Sequence, residues 1–256
     1  MKRLAYSLLR IIIASYIGLC VVLYLFQDAL IYHPQPRAVS EPGSTLKLKT
    51  EDTDIIVTTE IKPGNKAIIY FGGNAEDVSR NLESFKQTFP NHSLYLMHYR
   101  GYGGSSGEPS EERNYQDAVK LYDLIKKDRS EISLIGRSLG SGIATHLASI
   151  RPVSKLALVT PYYSIEEIAQ QQYPFVPVSL LLKDKYQSWQ YAKQIKAPTT
   201  IIMAEGDRII PNSSSEKLYS QFQPGIAKLV SIKGAGHNRI SAKRSYYSAL
   251  AQAVIN

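Results

Sequence analysis

The chain has one cysteine, Cys20, so no internal disulfide can form, and no cysteine–histidine spacing points to a metal site. No acidic residue precedes Asp28, although Lys2, Arg3 and Arg10 fall within the first ten positions. The net charge of +8 gathers into no basic stripe with interleaved aromatics, which argues against nucleic acid as a partner. No internal repeat or low-complexity tract is visible.

What is present fits one large α/β domain. The chain has 256 residues, 44% of them apolar and 20% charged, enough to bury a substantial core. Between Arg10 and Asp28 runs IIIASYIGLCVVLYLFQ, seventeen residues without a charge. That is close to the roughly 20 residues of a membrane-spanning helix and longer than the apolar core of a signal peptide. No small-x-small cleavage pattern follows Phe26, and Leu19 stands where a lipoprotein signal wants a small residue. Residues 1–27 therefore read as an uncleaved anchor, with a cleaved signal peptide as the alternative. The cations ahead of the run place the amino end in the cytoplasm and the rest outside it, in the periplasm or beyond.

Residues 28–45, rich in proline and turn formers, read as a linker onto a domain spanning 46–256. Eight strands are expected, at 46–50, 54–61, 67–71, 93–99, 132–136, 155–160, 199–204 and 227–232. Helical stretches are expected at 77–88, 111–127, 139–150, 213–222 and 241–253. The strand–helix alternation predicts a mostly parallel, doubly wound sheet flanked by helices. In such sheets the ligand site lies beyond the carboxyl ends of the strands.

At that end of one strand sits LIGRSLGSG, with Gly136 and Gly140 two positions either side of Ser138. Strand, Gly-x-Ser-x-Gly and helix together make a nucleophile elbow. A serine hydroxyl needs a base, and the base an orienting carboxylate, in the chain order serine, acid, histidine. Of the two histidines after Ser138, His146 lies too far down the same helix, whereas His237 sits in the loop GAGHN after the last strand. His33, His92 and His98 precede the serine; His98 reads as structural, with the pocket wall as its alternative. The acid is Asp207, in the turn EGDRIIP, with Glu205 as the alternative. Oxyanion donors are expected from the backbone of Leu139 and from FGGNAED, at Gly73 and Asn74. Residues 161–198 form an aromatic, proline-broken insertion that reads as a cap, with Tyr162, Tyr173, Phe175 and Val178 as candidate pocket residues.

YFGGNAED, YRGYGGSSGEPSE, LIGRSLGSG, EGDRIIP and GAGHN together resemble the α/β-hydrolase family. The resemblance is to its membrane-anchored α/β-hydrolase-domain proteins, which include eukaryotic depalmitoylases and bacterial relatives. It implies an eight-stranded α/β-hydrolase fold with a small cap. It implies Ser138 as nucleophile, Asp207 as orienting acid and His237 as base. No metal or organic cofactor is implied. Relatives commonly carry His-Gly-Asn where this chain has Gly72-Gly73-Asn74. The expected activity is cleavage of an ester or thioester of an acylated or other small-molecule substrate near lipid. A peptidase and a non-catalytic binding protein are the alternatives. Acyl chain length and oligomeric state are left open.

Overall fold

The computed structural model describes residues 2–38 and 43–255. Its strands are β1 (Thr45–Lys49), β2 (Asp54–Glu60), β3 (Lys66–Phe71), β4 (Ser93–Met97), β5 (Glu131–Arg137), β6 (Leu156–Val159), β7 (Thr199–Ala204) and β8 (Ala227–Ile232). The helices are α1 (Lys2–Ile31), α2 (Leu82–Thr88), α3 (Glu111–Ile125), α4 (Leu139–Ile150), α5 (Ile165–Gln172), α6 (Val178–Leu181), α7 (Ser188–Ala192), α8 (Asn212–Tyr219) and α9 (Arg244–Val254). One sheet runs in the order β1-β2-β4-β3-β5-β6-β7-β8. β2 is antiparallel to β1 and β4, and the remaining pairings are parallel. This is the eight-stranded, mostly parallel sheet expected.

The central strands are apolar throughout because both faces are covered. Successive side chains point to opposite faces. Ile69, Phe71, Leu134 and Ile201 join a core with Leu121 of α3 and Leu147 of α4. Ile68, Tyr70, Ile135 and Ile202 join a second core with Phe85 of α2 and Leu250 of α9. Beyond β4, the buried Arg100 donates to both oxygens of Asp117 on α3 (2.8 and 3.0 Å) and to Asp52 (2.6 Å). This clamp fixes the loop that carries Tyr102.

Among the described residues, α1 is the one helix long and apolar enough to cross a bilayer, with mean hydropathy 2.3. It continues to Ile31, past the expected end at residue 27. The expected linker, 28–45, thus begins as helix, and its residues 39–42 lie outside the described residues. The helix extends because the domain grips its end. Gln27 donates to the Leu181 carbonyl (3.3 Å) and accepts from the Lys183 N–H (2.7 Å). The Ile31 carbonyl, an orphan at a helix end, accepts from Asn74 Nδ2 (3.1 Å). Tyr32 follows at once, buried, donating to Asp184 (2.6 Å).

The insertion at 161–198 carries α5, α6 and α7 over the carboxyl end of the sheet. None of α5 is buried. The rest of the insertion is tied down both ways: Tyr162, Tyr186, Ala192 and Ile195 are buried in the core, and Glu111 of α3 accepts from the N–H groups of Lys185 (2.7 Å) and Tyr186 (2.9 Å). Burial raises the pKa of the Glu111 carboxyl, against the pull of those donors.

Candidate active site

Ser138 alone makes the turn between β5 and α4, at φ 49° and ψ −118°. A non-glycine residue there is strained by about 1–3 kcal/mol, a conformation that persists at functional sites. The flanking glycines permit it. A Cβ on Gly136 would lie 2.5 Å from the Gly140 carbonyl oxygen, and one on Gly140 would lie 2.2 Å from that of Phe71. Any side chain at either position would push β3, β5 and α4 apart.

Three loops at the carboxyl end of the sheet bring the polar residues together. His237 Nε2 is 3.0 Å from Ser138 Oγ. His237 Nδ1 is 2.7 Å from Asp207 Oδ2. The carboxylate only accepts, so the proton sits on Nδ1 and Nε2 faces the hydroxyl as acceptor. Asp207 is held by its other oxygen, which accepts the N–H groups of Ile209 and Ile210 at 2.9 Å. Glu205 does different work: it accepts from the Gly234 N–H (2.8 Å) and braces the histidine loop. An arrangement of this kind can take a proton from the serine as its oxygen attacks.

One expected donor is corrected. The Gly73 N–H already donates to Glu76 Oε2 (2.7 Å), so it does not point at a reacting oxygen. Among the described residues, no acceptor pairs with the N–H of Asn74 or of Leu139. These two remain as the available donors. A histidine has no room at position 72, where a Cβ would lie 2.5 Å from Val78 Cγ1. Sequence reasoning missed Glu76. It also accepts from Tyr70 (2.7 Å) and Asn81 (2.6 Å) and pairs with Arg137 (3.3 Å). Arg137 in turn donates to the His237 carbonyl (3.3 Å). Burial works against the Arg137 charge, but Glu76 and Tyr70 outweigh it and hold its pKa above the ordinary value.

Ser138, Leu139 and Asn74 open onto a cavity of about 330 Å³, within the range of small-molecule sites. Tyr162, Tyr173 and Val178 line it, as do Ile165, Ile168 and Ile210, and no lining side chain is charged. Tyr162 is fully buried and donates to the Leu139 carbonyl (2.9 Å). Phe175 is corrected: it is 87% exposed and outside the lining. Residue type suggested a pocket residue, but the turn between Pro174 and Pro177 directs the ring outward. Sequence reasoning also missed the wall supplied by α1, namely Leu23, Tyr24, Gln27, Leu30 and Ile31. Gln27, the one amide in the uncharged run, was the available signal.

The other histidines stand apart. His98 is buried against Thr58 (2.9 Å), and burial pushes its pKa down to about 4. His146 stacks on Tyr115 (3.9 Å), and burial likewise pushes its pKa down to about 4. His92 packs against Phe89, and His33 is exposed.

Residues 104–255 match the Dienelactone hydrolase family. The chain is 30% identical over 239 residues to an uncharacterized protein of Mycobacterium tuberculosis, covering 86% of this chain and 84% of that one. It is 29% identical over 181 residues to Lysophosphatidylserine lipase ABHD12 of Macaca fascicularis, covering 61% of this chain and 45% of the lipase. An esterase from Pyrococcus furiosus shares the fold, with a TM-score of 0.68 at 16% identity over 86% of this chain and 96% of that one. The chain thus belongs to the dienelactone hydrolase family and is an α/β-fold hydrolase of the α/β-hydrolase-domain type.

Proposed function

We propose that the protein is a membrane-anchored serine hydrolase that cleaves carboxylic esters or thioesters of apolar acyl chains. The observation that carries this reading is the hydrogen-bonded line Ser138–His237–Asp207 at the mouth of an uncharged cavity.

Ser138 Oγ attacks the acyl carbonyl while His237 Nε2 takes its proton. The carbonyl oxygen becomes an oxyanion facing the N–H groups of Leu139 and Asn74. His237 then gives the proton to the leaving alcohol or thiol, and the acyl group stays on Ser138. Water, deprotonated by the same histidine, attacks the acyl-enzyme, and the carboxylic acid leaves as Ser138 regains its proton. Side chains, backbone and water are enough for every step. The uncharged lining favours an acyl chain over a peptide, which would leave its buried amide groups without partners. A relative that is a lysophosphatidylserine lipase supports the same substrate class.

In this reading α1 spans the bilayer, with Lys2, Arg3 and Arg10 on the cytoplasmic side and the catalytic domain on the other. Protease added to cells stripped of any outer membrane or wall then degrades the domain, and protection of the domain overturns the orientation. The activity is tested on the full chain in detergent micelles with p-nitrophenyl esters of increasing length, beside Ser138→Ala. Turnover by the parent and its loss in the variant are expected. Equal inertness, with no labelling of Ser138 by a serine-reactive phosphonate, overturns the hydrolase mechanism and favours a binding role.

A further inference from the structure

The 30 residues of α1 extend about 45 Å at roughly 1.5 Å per residue. The cap runs alongside a long part of that length. Near the carboxyl end, Gln27 bonds to Leu181 and Lys183, and Lys183 Nζ lies 4.7 Å over the Tyr24 ring. Eleven residues earlier, Tyr16 Oη donates to the Phe175 carbonyl (2.8 Å). Of the described residues only 2–15 project beyond that contact, at most about 21 Å of helix, and less with Arg10 on the cytoplasmic side. A hydrocarbon core is about 30 Å thick. A spanning α1 therefore cannot keep the whole domain outside the bilayer. The shortfall, at least about 9 Å, falls on the helix segment that carries the tip of the cap, and any tilt of the helix enlarges it.

The tip is built for that setting. From Ile168 to Leu182 the chain has no charged residue, and Lys183, Asp184 and Lys185 follow at once. Phe175 is 87% exposed and Leu180 is 81% exposed. Every carbonyl from Tyr173 to Ser179 accepts a hydrogen bond. Gln170 Nε2 reaches those of Tyr173, Pro174 and Val176, Tyr16 takes that of Phe175, and Lys185 Nζ takes that of Ser179. The carbonyls of Pro177 and Val178 accept from Leu180, Leu181 and Leu182. Water would satisfy such groups on an ordinary surface loop, whereas hydrocarbon requires each to be paired internally. Pro174 and Pro177 remove two N–H groups from the same stretch.

We propose that the cap tip is a second membrane element, sunk in the leaflet on the domain's side. The cavity walled by Leu23 and Leu30 of α1 and by Tyr173 and Val176 of the cap opens there into lipid. The acyl chain of an amphiphilic ester enters sideways from the leaflet, and its carbonyl stays near headgroup level, where Ser138 lies. This inference rests on the anchored-hydrolase reading and adds where the substrate enters.

The test places a bimane label at Phe175→Cys or, as a control, at Lys127→Cys, beyond α3 at the far end of the sheet. Both are made in the full chain carrying Cys20→Ala, reconstituted in phosphatidylcholine vesicles. Doxyl groups on the lipid acyl chains are expected to quench the Phe175 label and spare the control. Quenching of both labels by aqueous iodide alone overturns the inference. So does release of the protein from the vesicles by alkaline carbonate. In a second arm, Phe175→Glu with Leu180→Glu lowers hydrolysis of a long-chain ester carried in vesicles by about tenfold, because a charge within the leaflet is costly. The same variant cleaves a short water-soluble ester at the parent rate. Equal rates on the vesicle substrate overturn lateral entry. The quenching does not depend on catalysis. A short ester cleaved equally by parent and Ser138→Ala therefore defeats the hydrolase reading alone.

Discussion

The serine loop and the cap lie on two sides of one cavity and are built differently. Ser138, Asp207 and His237 sit beyond strand ends, bonded to one another, with Asp207 also held by the Ile209 and Ile210 N–H groups and the Ser138 N–H by Val159 of β6. The cap is three short helices, one with nothing buried, held by Glu111, by contacts with α1 and by the buried Tyr186, Ala192 and Ile195. Chemistry that needs sub-ångström placement is built on the stiff part of the fold. In the proposed hydrolase, selection of an apolar chain, which needs only shape and water exclusion, falls to the cap, and the cap leans on a helix from outside the domain.

The sharpest way to break this division is Ser138→Ala. It should lower kcat/KM by about four orders of magnitude for short and long esters alike, since the nucleophile serves every substrate. A loss that varied with chain length would mean the two regions are not separable. A smaller effect is expected from Glu76→Gln, which weakens the brace on Gly73 and the pairing with Arg137. It should lower kcat by about ten- to a hundredfold with KM little changed, measured on a single ester, because the oxyanion donors act mainly in the transition state. Filling the cavity with Val178→Trp should instead change preference. The ratio of kcat/KM for long over short esters falls by about tenfold, the scale at which apolar pockets discriminate. An unchanged ratio would remove Val178 from the acyl site.

The smallest effect concerns stability. His98 is buried with its pKa held near 4, below the roughly 6.5 of an unfolded histidine. Between those values the unfolded chain binds the extra proton, so stability falls as pH drops from about 6.5 to about 4 and levels off below. His146 acts in the same direction. Melting temperatures of parent and His98→Asn across that window should show a shallower acid loss in the variant. Parallel curves would show that His98 does not contribute.

That Ser138, Asp207 and His237 meet was legible because a local motif fixes one of them and chain order narrows the other two. The central strands were legible because burial on both faces writes continuous apolar runs. What escaped depends on side chains that meet across the fold. Gly73 and Asn74 look equivalent until Glu76 takes one of their N–H groups. Phe175 looks like pocket until its turn sends it outward. The end of α1 lies beyond the apolar run because Asn74, more than forty residues away, donates to the Ile31 carbonyl.

That last bond has a mechanical meaning. With Gln27 gripped by the cap, Ile31 tied to the donor loop and Tyr32 buried next, the chain passes from helix to domain without slack. A slack tether would let the domain tumble and meet its substrate from any side. In the proposed anchored form, a rigid mast fixes the heading of the serine relative to the surface that holds it. The search for substrate then takes place in a plane, at one height and in one orientation, and an insertion of flexible residues after Ile31 would turn the mast back into a tether.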